Sequence, residues 1–114
     1  MEWLGFDFET REITPGVLAP RPVCFSLAGF SEAPNYLPRD ADSWWRSTDH
    51  GWEAVFHIRH AAQVFGNLFG DTNIGLVAHN KPFDAGVLLN WLPQFTEPVL
   101  NMIEQGRLRD TLVR

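Results

Sequence analysis

The hydrophobic positions along the chain change period several times, and each change marks an element. Trp3-Leu4-Gly5-Phe6-Asp7-Phe8 is apolar on both faces of an extended segment, with Asp7 interrupting it, which predicts a strand in the middle of a sheet. Val23-Cys24-Phe25-Ser26-Leu27-Ala28 predicts a second strand, paired with the first as a hairpin. Thr14-Pro15-Gly16 and Ala19-Pro20-Arg21-Pro22 supply turn chemistry between them. Residues 29–51 carry Gly, Ser, Pro, Asn and Asp and read as loop, with Asn35-Tyr36-Leu37 as the strand-like stretch.

From Trp52 to Phe69, the residues Val55, Ile58, Ala62, Phe65 and Phe69 recur at three- and four-residue steps and predict a helix with one apolar stripe, closed by Gly70-Asp71. Ile74 to Ala78 is a short buried strand. Asn80 to Trp91 reads as a second helix, with Pro82 in its first turn, where a missing N–H costs nothing. Pro93 ends it, and Glu97 to Gln105 reads as a third helix stopped by Gly106. Asp110 has the character of an N-cap, so the chain is expected to be cut short at the start of an element. The order of elements predicts a mixed α/β layout in a single domain over residues 1–114.

Composition narrows the class. A chain of 114 residues holds one domain, and its 45% hydrophobic and 20% charged residues are ordinary for a globular protein. Five Trp and nine Phe can fill a sizeable core. The formal net charge of -5 argues against coating nucleic acid with a broad basic surface, because neutralising phosphates needs Lys and Arg. It leaves room for an enzyme that meets phosphate through bound metal ions, whose site is acidic without them. The single cysteine, Cys24, excludes an internal disulfide or a multi-cysteine zinc site and fits a reducing, cytoplasmic setting. No basic segment followed by an apolar run opens the chain, and no stretch approaches the roughly 18 apolar residues of a membrane span, so neither a signal peptide nor a membrane partner is expected.

Two clusters can carry chemistry. In Asp7-Phe8-Glu9-Thr10, residues two apart on a strand point to one face, so Asp7 and Glu9 project together. Two adjacent carboxylates repel each other and resist desolvation, and a hard divalent cation relieves both. The plainer reading is a strand end where both reach water. In Leu76-Val77-Ala78-His79-Asn80-Lys81-Pro82-Phe83-Asp84, a buried strand runs into a helix start, where ligands gather in α/β sheets. There Asn80 can simply cap the helix, and Asp84 can simply favour its positive end.

Together these residues resemble the DEDD superfamily of 3′→5′ exonucleases. Phe6-Asp7-Phe8-Glu9-Thr10 is similar to its first motif, an Asp-x-Glu on the first strand of a ribonuclease-H-like sheet. His79-Asn80-Lys81-Pro82-Phe83-Asp84 is similar to its second, an Asn shortly before an aromatic-Asp pair. Gly106-Arg107-Leu108-Arg109-Asp110-Thr111-Leu112 looks like the Asp-Thr segment after motif two in proofreading domains of family A DNA polymerases, including phage ones. The resemblance implies a ribonuclease-H-like mixed sheet flanked by helices, and removal of nucleotides from the 3′ end of single-stranded DNA, with RNA not excluded. It implies two divalent metal ions, Mg²⁺ or Mn²⁺, held by Asp7, Glu9 and Asp84. Thr10, Asn80 and Phe83 would contact the substrate strand. A downstream polymerase domain or a complementing subunit would be a partner.

The chain departs from that pattern in one respect. The third motif, Tyr-x-x-x-Asp or His-x-x-x-Asp, should follow Asp110, and no His or Tyr occurs after His79. The match at Tyr36-Leu37-Pro38-Arg39-Asp40 lies between the other motifs, in a loop, and is read as coincidence. The exonuclease is therefore expected to be incomplete and weakly active or inactive alone. The alternative is a non-catalytic remnant or binding module of a replication protein. Of the remaining candidates, His57 and His60 are three apart and could share a metal, though such residues more often decorate a helix. Trp44-Trp45-Arg46 could stack on bases, though an aromatic pair in a loop more often lids a core. Cys24 and Ser26 have no evident base, which argues against covalent catalysis.

Overall fold

The computed structural model describes residues 1–10, 22–78 and 81–110, with the side chains of residues 10, 81–85 and 110 outside that description. The predicted turns at 14–16 and 19–21, and the residues 79, 80 and 111–114, also lie outside it. The strands are β1 (Glu2–Thr10), β2 (Pro22–Gly29), β3 (Ser43–Thr48), β4 (Gly51–His57), β5 (Ile74–Ala78) and β6 (Leu108–Asp110), and the helices are α1 (Ala61–Gly70), α2 (Lys81–Trp91) and α3 (Thr96–Glu104). Single 3-10 turns at Ile58–His60 and Pro93–Phe95 lead into α1 and α3.

The six strands form one mixed sheet in the order β3-β4-β2-β1-β5-β6. The pairs β3–β4, β4–β2 and β2–β1 are antiparallel, whereas β1–β5 and β5–β6 are parallel. Parallel neighbours need crossovers, which α1 and the α2–α3 pair supply on the way into β5 and β6.

Alternation on β1 decides the core. Leu4, Phe6 and Phe8 are buried on one face. Phe65 of α1 sits over them, with ring centroids 5.9 Å from Phe6, 5.5 Å from Phe8 and 5.1 Å from Phe25. Val87 and Leu88 of α2 and Val99 and Met102 of α3 join the same buried cluster. On the opposite face, Gly5, Cys24, Ser26, Glu53, Val55 and Val77 are half-buried, and Asp7, Glu9, Ala28 and His57 are exposed.

The expected helix from Trp52 to Phe69 is corrected. Its first part is β4, in which Trp52, Ala54 and Phe56 are buried at a period of two. The helix begins at Ala61 and buries Ala61, Val64, Phe65 and Leu68, so only Phe65 of the expected stripe is fully buried. Val55 and Ala62 fit the helical count by chance, and cross-strand pairing outweighs it. The break is marked by His57, whose Nδ1 accepts from Arg59 N at 3.0 Å. The loop expected over 29–51 holds strand β3, and Asn35-Tyr36-Leu37 is a turn. Asp110 is the last residue of β6, and the element expected to start after it lies outside the described residues.

Gly106 ends α3 as expected. Its φ is 69°, a left-handed conformation that glycine adopts without penalty. Gly106 N donates to Ile103 O at 3.1 Å, and Arg107 N donates to Met102 O at 2.8 Å, which satisfies two orphan carbonyls and turns the chain into β6.

Candidate active site

Asp7 and Glu9 lie where the sequence places them, on the uncovered face of the central strand β1 and near its C-terminal end. Both are exposed, while Phe8 between them is 4% exposed on the core face. Register fixes their neighbours: Asp7 pairs with Ser26 and Glu9 with Cys24. The pairing slips between Glu9 and Thr10, where Thr10 meets Pro22 and Val23 is passed over. Such a bulge bends the strand and re-aims side chains next to it.

The second cluster arrives at the same edge of the sheet. Because β1 and β5 are parallel, their C-terminal ends coincide, with Phe6 opposite Ala78. Asp7 is the next residue on β1, and α2 starts at Lys81, three residues beyond Ala78. Asp84 belongs to the first turn of α2. The side chains of Thr10, Phe83 and Asp84, and all of Asn80, lie outside the described residues, so what the structure brings together is the two backbone segments. The same row continues to β6, where Asp110 pairs with Ala78.

The donor chemistry suits a hard cation. Asp7 and Glu9 offer carboxylate oxygens two residues apart on one face, the ligand type of Mg²⁺ and Mn²⁺. The thiol of Cys24 is pushed above its ordinary pKa by burial and by the charges of Glu9 and Asp7. Among the described residues, no group of three His, Cys, Asp or Glu is placed to hold a metal ion.

The other candidates have structural employment. Tyr36 Oη donates to Asp71 Oδ2 at 3.3 Å, and burial followed by the Asp71 charge raises its pKa. Asp40 lies 3.2 Å from Arg59 Nη2, and 2.9 Å from His60 Nε2 off the line of a hydrogen bond. Tyr36 and Asp40 are therefore tied to different parts of the molecule. His57 ends β4 and His60 ends a 3-10 turn, so the helical pair expected from their spacing does not exist. Trp45 is half-buried against Trp52, with ring centroids 5.5 Å apart and Arg39 stacked 3.8 Å above it, whereas Trp44 is 51% exposed.

A groove of about 390 Å³ crosses the uncovered face from Asp7 past Ser26 and Val55 to Trp44. Sequence reasoning did not find Ser26 or Trp44 as neighbours of the carboxylates, because pairing register is not a local property. No protein family, characterised protein or solved structure matches this chain.

Proposed function

We propose that the chain is a metal-dependent 3′→5′ exonuclease domain of the DEDD type, on a ribonuclease-H-like sheet, acting on a single-stranded nucleic-acid 3′ end. The observation that carries this reading is the shared sheet edge. Asp7 and Glu9 stand at the exposed end of β1, and the parallel strand β5 runs from that edge into α2, which bears Asp84. A central strand with antiparallel neighbours on one side and parallel ones on the other supports the fold assignment.

Asp7 and Glu9 would hold the ions from β1, and Asp84 from α2. Two divalent ions bound there would supply a water of lowered pKa and stabilise the charge that develops at the phosphate. Thr10, Asn80 and Phe83 would hold the terminal nucleotides in line. No Tyr-x-x-x-Asp or His-x-x-x-Asp follows Asp84 within these 114 residues, and in this reading a complementing segment or subunit would supply the group that orients the water. Its loss costs about 10²–10⁴-fold, and a water misplaced by about 1 Å costs roughly 10² more.

The test is digestion of a 5′-labelled oligonucleotide in Mg²⁺ or Mn²⁺. The chain alone should release little. A form completed by a helix bearing the third motif should release mononucleotides from the 3′ end, and Asp7→Ala or Asp84→Ala should stop it with the fold intact. Release that persists in both variants would overturn the reading. The uncovered face, with Trp44 and Val23 51% and 41% exposed, favours a second reading, a non-catalytic interaction module. Absence of both activity and carboxylate-dependent metal binding in every completed form would select it.

A further inference from the structure

The pair Trp44-Trp45 has two readings in sequence, base stacking or a lid on the core, and the fold gives one to each residue. Trp45 pairs with Ala54 and turns to the core face, where Trp52 and Phe56 pack against it. Trp44 pairs with Val55 and turns to the other face, where half of it meets solvent although it sits in a regular strand.

Register carries Trp44 to the candidate site. Asp7 pairs with Ser26, Ser26 with Val55, and Val55 with Trp44, so the four residues form one cross-strand row on one face. Three inter-strand steps of about 4.8 Å separate the ends of the row by about 14 Å. The floor between them is made by Ser26, Ala28 and Val55 with Glu53 beside them, and the groove runs its full length. At the far end, the guanidinium of Arg46 lies 5.8 Å from the Trp44 ring and pairs with Glu53.

We infer that Trp44 is a stacking platform for a base upstream of the scissile phosphate, and that the groove is the path of the single strand. The inference rests on the exonuclease reading for what lies at the Asp7 end. An indole face is sequence-tolerant because every base has a π-face. At the stacked rise of about 3.4 Å the span holds about four nucleotides, and in an extended strand about two. Trp44 is then a positioning residue that touches the substrate away from the reacting bond.

The experiment measures binding of fluorescently labelled dT₂ and dT₁₀ to the 114-residue chain in Mn²⁺, with Trp44→Ala, Trp44→Phe and Asp7→Asn. Trp44→Ala should weaken dT₁₀ about five- to a hundred-fold, the range for removing one base–aromatic stack. Trp44→Phe should recover most of that affinity, and neither change should move dT₂ binding, because dT₂ occupies only the carboxylate end. Thermal melts of the Trp44 variants should match the wild type. If dT₁₀ binding needs Mn²⁺ and Asp7 but ignores Trp44→Ala, the platform is wrong and the exonuclease reading stands. If dT₁₀ binding falls in Trp44→Ala but ignores Mn²⁺ and Asp7→Asn, the platform stands and the exonuclease reading fails. Absence of dT₁₀ binding under every condition, or equal losses for dT₂ and dT₁₀ in Trp44→Ala, overturns the platform.

Discussion

Arg107 Nη2 donates to the backbone carbonyl of Asp71 at 2.6 Å, which ties the start of β6 to the exit of α1. The same guanidinium reaches Ile74 O at 3.0 Å through Nε and Gln105 Oε1 at 2.7 Å through Nη1. Longer contacts of 3.4 Å run to Leu68 O and Phe69 O. Arg107 is 5% exposed. Its charge is therefore solvated by carbonyls around the C-terminal end of α1, where the helix dipole is negative; two of them, Leu68 O and Asp71 O, also accept from the backbone N–H groups of Asp71 and Ile74.

Removing that fork should be costly. Arg107→Met removes the charged donor from several carbonyls at once, although Leu68 O and Asp71 O keep a backbone donor, and hydrogen bonds to a charged group are worth about 1.5–3 kcal/mol each. We expect a loss of about 2–4 kcal/mol in urea unfolding. Arg107→Lys should recover only part of it, because an ammonium cannot reach carbonyls arranged around a planar fork. A variant within about 0.5 kcal/mol of wild type would show that the carbonyls find water instead.

Metal should stabilise the chain through Asp7 and Glu9. An ion that binds only the folded state contributes about 2.7 kcal/mol at a hundred times its Kd. Millimolar Mn²⁺ should raise the melting temperature of the wild type and leave Asp7→Asn/Glu9→Gln unmoved. Without metal, the double variant should melt above the wild type, since it removes like charges from one strand face. Equal Mn²⁺ shifts in both proteins would place the ion elsewhere.

Asp40 should make stability fall in acid. Burial alone would raise its pKa, but the backbone N–H of Asp42 and the charges of His60 and Arg59 outweigh it and hold the carboxyl below its ordinary value. Arg59 also reaches Asp42 Oδ2, at 2.6 Å, so the cluster joins the 40–42 turn to the approach of α1. A depressed carboxylate stabilises the fold above its unfolded pKa of about 3.9, and that contribution disappears as pH falls through the lower folded value. Asp40→Asn should therefore lower the urea midpoint slightly at pH 7 and converge with wild type in strong acid. A gap that widens on acidification would contradict the assignment.

Gly51 has no room for a side chain. A Cβ there would lie 1.9 Å from Gly29 O and 2.7 Å from Phe30 Cα, both backbone atoms that cannot swing aside. Gly51→Ala should cost about 1–3 kcal/mol or more by prising β4 from the end of β2. The denaturation midpoint reads it directly, and amide exchange should quicken first at Gly29 and Trp52.

The sequence by itself determined the parts that local pattern controls. The both-faces-apolar run of β1, its hairpin partner β2, the short strand β5, the proline-led helix α2 and the glycine stop at Gly106 all follow from residue periodicity, proline geometry and the freedom of glycine at positive φ. The shared face of Asp7 and Glu9 follows from alternation along a strand. Tertiary structure alone decided the rest. Residues 52–57 carry a helical count and a strand count at once, and pairing with β2 and β3 selects the strand. Trp44 and Trp45 are indistinguishable as a dipeptide, and the register of β3 on β4 sends one to the core and the other toward Asp7. The burial of Arg107 is not legible locally, because apart from Gln105 Oε1 its acceptors are carbonyls more than thirty residues away. Register and helix packing depend on contacts between distant segments, and no local window contains both partners.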